Sequence, residues 1–131
     1  MDKILAVGCG GFIGAALRYG MITWVPRFTV FQEHPLPIST LLVNLLGCFM
    51  IGFLRGMADC LHIFNPATSL FLFTGILGSF TTFSTLGLES WQLLEHGKIF
   101  ELILYISLSV FFGILLVWFG YSLSCRLFQH P

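Results

Sequence analysis

Charged residues cut this sequence into four apolar windows. Ile4–Leu17, His34–Leu54, Cys60–Leu88 and Leu102–Cys125 contain no Asp, Glu, Lys or Arg. The hydrocarbon core of a bilayer takes about 20 helical residues to cross. The second and fourth windows fit that length. The first is short unless its helix runs past Arg18 to about Val25, which leaves Arg18 partly immersed. The third is too long for a plain helix. Pro26, Pro35, Pro37 and Pro66 fall between windows, where helices end. The pattern predicts one all-α domain over residues 1–131, with four transmembrane helices at roughly 4–25, 38–57, 67–95 and 99–125.

The overlong third window also holds the densest run of hydroxyls. "GSFTTFSTL" (Gly78–Leu86) carries Ser79, Thr81, Thr82, Ser84 and Thr85. A single Ser or Thr in a membrane helix usually bonds back to the carbonyl four residues earlier. Five together, flanked by Gly75 and Gly78 in an overlong span, point to a helix broken near mid-span. Irregular backbone survives at membrane depth only where protein buries it or a watery cavity meets it, and the amides and carbonyls it frees bind ions.

Composition supports a chain that lives in lipid: 56% of residues are hydrophobic and 9% charged, against about 25% charged in soluble domains. A net charge of zero argues against nucleic acid as a partner. The start, "MDKILAVGC", has one Lys and a very short apolar core, so it reads as the first helix rather than a cleaved signal. Cys9, Cys48, Cys60 and Cys125 form no CxxC pair and no metal spacing, and read as small buried hydrophobes. "GCGGFIG" has the look of a dinucleotide fingerprint, but Ile13 stands where a glycine is required and no strand precedes it.

Orientation follows the Lys/Arg bias of short loops. With four spans, one side of the membrane carries Lys3, Arg55 and Arg126; the other carries Arg27 and Lys98, plus Arg18 if it is counted. A weak bias can still select one orientation, but so even a split favours dual topology, with copies inserted both ways and paired antiparallel. Ala6, Gly10, Gly14 and Arg18 recur every four residues, and Gly52 and Gly56 repeat the spacing. Small faces of this kind let helices approach closely in lipid and suit self-association.

No catalytic set is present. His34, His62, His96 and His130 fall near loops or ends, and no Ser–His–Asp or paired-carboxylate grouping shares one depth, so the chain does not read as an enzyme. Asn44 stands in mid-span of the second helix, where an interhelical hydrogen bond is its ordinary use. Thr81, Thr85 and Glu89 share one helix face, as do Tyr105 and Ser109. The groups available at mid-membrane are hydroxyls, an amide and aromatic edges, with no buried Lys and with Glu89 as the only acid near the track. A benzene ring's edge is electropositive, so such a lining suits a small anion better than a cation. These residues by themselves predict a small-ion pore or carrier.

"GGFIGAALRY" (Gly10–Tyr19), "STLLVNLLGCFMIG" (Ser39–Gly52) and "GSFTTFSTL" resemble, in order and spacing, the signatures of the Fluc (CrcB) fluoride ion channels. The resemblance covers essentially the whole chain. It implies an antiparallel, dual-topology homodimer in the inner membrane whose two pores passively export toxic fluoride. On this resemblance Asn44 is the pore asparagine, Phe83 the first of two phenylalanines whose ring edges touch the ion, and Arg18 the arginine near the aqueous entrance. Ser84, Thr85, Tyr105 and Ser109 correspond to the polar track, with Thr82, Leu86 and Glu89 beside it. Backbone carbonyls of Gly78 and Thr81, from two subunits, would hold one structural Na⁺ that is not transported.

The sequence departs from the family pattern at Leu86, where the second box phenylalanine is expected; Phe80 lies three residues before Phe83, outside the box. The alternative is a small dual-topology exporter of drugs or cations. Such carriers use a membrane-embedded carboxylate on the first helix, and none stands between Asp2 and Arg18.

Overall fold

The computed structural model describes residues 2–25 and 36–128. Pro26, Arg27, His34, Pro35 and His130 therefore lie outside the described residues. Helix α1 spans Asp2–Trp24 and α2 spans Ile38–Leu61. The third span, Pro66–Glu95, consists of α3 (Pro66–Ser69), a π-helical segment (Leu70–Leu77), α4 (Gly78–Phe80) and α5 (Phe83–Glu95). Helix α6 (Ile99–Phe128) completes the fold. No strand occurs among the described residues, and four helical spans are long and apolar enough to cross a membrane. The chain is a multi-pass membrane protein.

Local chemistry sets the helix ends. α2 continues through Arg55 and Asp59, which pair at 2.9 Å, and stops where His62 turns left-handed (φ 52°) and gives its amide to Ala58 O. Asn65 caps α3 by accepting from the Thr68 amide at 2.8 Å, with Pro66 in the first turn, where its missing N–H costs nothing. α5 ends in a two-bond cap: Lys98 N donates to Leu93 O at 2.9 Å and Gly97 N to Leu94 O at 3.0 Å. That cap requires φ of +71° at Gly97, a value glycine adopts without steric cost.

The third span is broken near its middle, within the hydroxyl run and not at a glycine. Gly78 is helical (φ −63°, ψ −30°), and Gly75 lies within the π segment. The chain straightens instead at Thr81 (ψ 159°) and Thr82 (φ −149°, ψ 120°), then restarts as α5. The hydroxyls make the break possible because Thr82 can cap the new helix, as described below.

The glycines do other work. A Cβ at Gly10 would strike Phe71 O, and one at Gly14 would strike Ile76 O, so α1 lies backbone to backbone on the π segment. Likewise Gly52 meets Val117 O on α6, and Gly120 meets Phe49 O on α2. These small faces join helices within one chain, which corrects the expectation that they serve self-association. Cys9 is exposed rather than buried, while Cys48, Cys60 and Cys125 are half-buried.

The bundle has little interior. Its accessible surface is 8566 Å² for 14.7 kDa, whereas a soluble monomer of that mass exposes about 6,900 Å². Val43, Leu77, Phe80, Leu93 and Tyr105 form most of the buried core, and large side chains such as Phe12, Phe83, Phe100 and Trp118 face outward. Such a surface requires lipid or another protein against it.

Candidate functional site

Asn44 on α2 faces the break. Its Oδ1 accepts from the Thr82 amide at 2.9 Å, and its Nδ2 donates to Thr82 O at 3.2 Å. In a continuous helix the Thr82 amide would aim at Gly78 O. Here the asparagine takes that amide and the carbonyl of the same residue, which satisfies an extended residue in a place without water. One of the two Nδ2–H donors is used in doing so; the second remains for another acceptor. One turn along α2, Gly47 meets the methyl of Thr81, so the break rests directly on the α2 backbone.

Thr82 then starts α5. Its hydroxyl accepts from the Thr85 amide at 3.3 Å and lies 2.9 Å from Thr85 Oγ1 and 3.4 Å from Ser84 Oγ. The first turn of α5 carries no Asp or Glu, so the positive end of its dipole is not offset locally. Thr81 behaves as a lone membrane threonine does: its hydroxyl donates to Leu77 O at 3.1 Å. Ser109 does the same to Tyr105 O at 2.7 Å.

Asn44, Thr81, Thr82 and Ser109 share a cavity of about 500 Å³ with Gly78, Phe83 and Leu86. Its other walls are apolar, from Ile51, Phe73, Leu77, Ile106 and Val110. Phe83 is 85% exposed, whereas Phe80 is turned inward at 6%. Of these two rings, only that of Phe83 is available to an ion at the break.

Glu89 forms a separate cluster. Thr40 Oγ1 donates to its Oε1 and Tyr105 OH to its Oε2, each at 2.7 Å. Thr40 is 2% exposed and Tyr105 fully buried, so α2, α5 and α6 are joined through a carboxylate engaged at both oxygens. Beyond it a cavity of about 200 Å³ opens among Pro37, Gln92, His96 and Lys98. Ser84 is exposed and Thr85 half-buried on the first turn of α5. Arg18 is half-buried on α1 and belongs to neither cavity.

Thr40 and Gly47 were missed in the sequence. The signal was present: Thr40 stands four residues before Asn44 and Gly47 three after it, on one helix face. Among the described residues no three His, Cys, Asp or Glu side chains converge, so a cation here would need backbone or hydroxyl oxygens.

The CrcB-like protein, Camphor Resistance (CrcB) profile matches residues 5–121. The chain belongs to this family. Similar CrcB relatives include proteins named fluoride-specific ion channel FluC. One, from Methylobacillus flagellatus, is 39% identical over 94% of this chain and 94% of its own. FluC 1 from Methanosarcina acetivorans is 40% identical over 92% of this chain and 88% of its own. The Ruminiclostridium cellulolyticum protein is 43% identical over 95% and 93%.

Proposed function

We propose that this chain is a fluoride channel that works as an antiparallel, dual-topology homodimer in the inner membrane, conducting fluoride passively and thereby exporting it. The observation that carries the reading is the Asn44–Thr82 pair, which places an extended backbone and its hydroxyls beside an uncovered cavity at mid-span. Fluoride holds its water tightly, so a pore must replace that water with donors. This site offers the second Nδ2–H of Asn44, the hydroxyls of Thr82, Ser84 and Thr85, and the electropositive edge of the Phe83 ring. The uncompensated start of α5 adds a favourable potential for an anion. The names of the relatives point to the same ion.

A second copy would cover the apolar walls of the cavity, and the even Lys/Arg split supports opposite insertion of the two copies. A structural Na⁺ fits the break: the Thr82 amide is drawn away from Gly78 O, and oxygen donors suit a hard cation. Gly78 and Thr81 would hold it by their carbonyls, and when bound it would neutralise carbonyl dipoles that lack amide partners.

The test is reconstitution in liposomes. Fluoride should leave protein-containing vesicles much faster than protein-free ones, while chloride should not. Equal fluoride release with and without protein ends the channel reading. Reporter tags at the C-terminus should be detected on both sides of the membrane; a single location in every copy removes dual topology.

A further inference from the structure

The last turns of α2 and α6 bring two cysteines together that stand far apart in the sequence. Cys60 Sγ donates to Cys125 Sγ at 3.5 Å. The two backbones, close along the whole pair, are still close here. A Cβ added at Gly56, one turn before Cys60, would lie 2.8 Å from Tyr121 O and 2.9 Å from Ser124 Cβ, next to Cys125. A disulfide requires short Cα separations, and close backbone approach is what supplies them. Both thiols are half-buried. They sit at the aqueous boundary: the exposed Arg55–Asp59 pair lies just before Cys60 on α2, and Arg126 follows Cys125 on α6.

We infer that Cys60 and Cys125 form an oxidisable staple, a modification site for two-electron oxidants of the hydroperoxide class. One thiolate attacks the peroxide oxygen, the O–O bond breaks, and a sulfenic acid and water result. The second thiol attacks that sulfur, the S–S bond forms, and a second water leaves. Two thiols are oxidised by two electrons and one hydrogen peroxide is reduced to two waters. The product ties α2 to α6 about 24 Å along the helix axis from Asn44. The inference rests on the packing of these two helices alone, and its readouts do not involve fluoride.

The test uses the full chain, purified in detergent, with hydrogen peroxide as the probe. Labelling by a maleimide after denaturation should fall from four thiols to two, and return to four on reduction. The intact mass should drop by two hydrogens, and a digest should yield a peptide pair joining Cys60 to Cys125. The oxidised form should melt about 5 °C or more above the reduced form, because the cross-link restricts the unfolded chain. Cys125→Ser should abolish both the mass change and the shift. Oxygen addition without a Cys60–Cys125 link, a link through Cys9 between chains, or retention of all four labels overturns the assignment. An unchanged or lowered melting temperature after oxidation overturns the staple.

Discussion

Asn44 and Thr82 exchange two hydrogen bonds, side-chain amide to backbone, across the point where the third span loses its helix. The pair resembles one rung of a sheet set inside a helical bundle. It gives the asparagine two uses, to hold the break open and to present its remaining N–H to the cavity.

Asn44→Asp preserves size, keeps the acceptor for the Thr82 amide and removes the donor to Thr82 O. It also adds a like charge beside a passing anion. Losing that hydrogen bond costs about 0.5–1.5 kcal/mol, equivalent to roughly two- to tenfold in flux if the conducting geometry carries that cost. The carboxylate oxygen also now faces the Thr82 carbonyl as a second acceptor. Fluoride efflux from liposomes should collapse while gel filtration still reports the assembled protein. Normal conduction by this variant would reduce Asn44 to helix packing.

Gly47→Ala drives a methyl into the Thr81 side chain. Overpacking of this kind costs about 1–3 kcal/mol. The variant should melt at lower temperature and conduct less. Thr81→Ser removes the clashing methyl, so the double variant should recover much of the loss, and a double-mutant cycle measures how much. Simple additivity of the two changes would contradict the contact.

At the two positions where the resemblance implies phenylalanines, this chain carries Phe83 and Leu86, and a leucine has no electropositive edge to offer. An aromatic edge contact is worth on the order of 1 kcal/mol, and nearby hydroxyls can offset the loss of one. Phe83→Ile should therefore abolish flux, while Leu86→Phe should be tolerated or raise it. Efflux assays of both beside the parent decide the matter, and parental conduction by Phe83→Ile removes the ring-edge account of the pore.

Replacement of Na⁺ by a large organic cation on both sides should weaken transport. It should also lower the melting temperature of the assembled protein, because an ion bound only to the folded state stabilises it by mass action. If neither quantity moves after thorough removal of Na⁺, Gly78 and Thr81 hold no structural ion.

The number of spans and the odd character of the third were legible in the sequence, because transfer of apolar residues to lipid is a local property of each window. The family was legible too, from three short motifs. A break near mid-span was legible as well, but the contact that holds it was not. Gly75 and Gly78 stay helical, because glycine in a membrane span is tolerated within a helix, and Gly75 meets Gly10 backbone to backbone. What holds the break at Thr82 is a partner 38 residues away, Asn44, able to accept an amide and donate to a carbonyl at once.

Sequence alone thus determined that this is a four-span membrane protein of the CrcB family with a polar fault in its third span, since hydropathy and motif spacing need no neighbours. Only the tertiary structure decided which helices the glycine faces join, that Thr40 and Tyr105 meet at Glu89, and that Cys60 meets Cys125. Each of those is a pairing between windows far apart in the chain. The strength of a hydrogen bond or a close backbone contact depends on both partners, and a one-dimensional pattern specifies each partner singly.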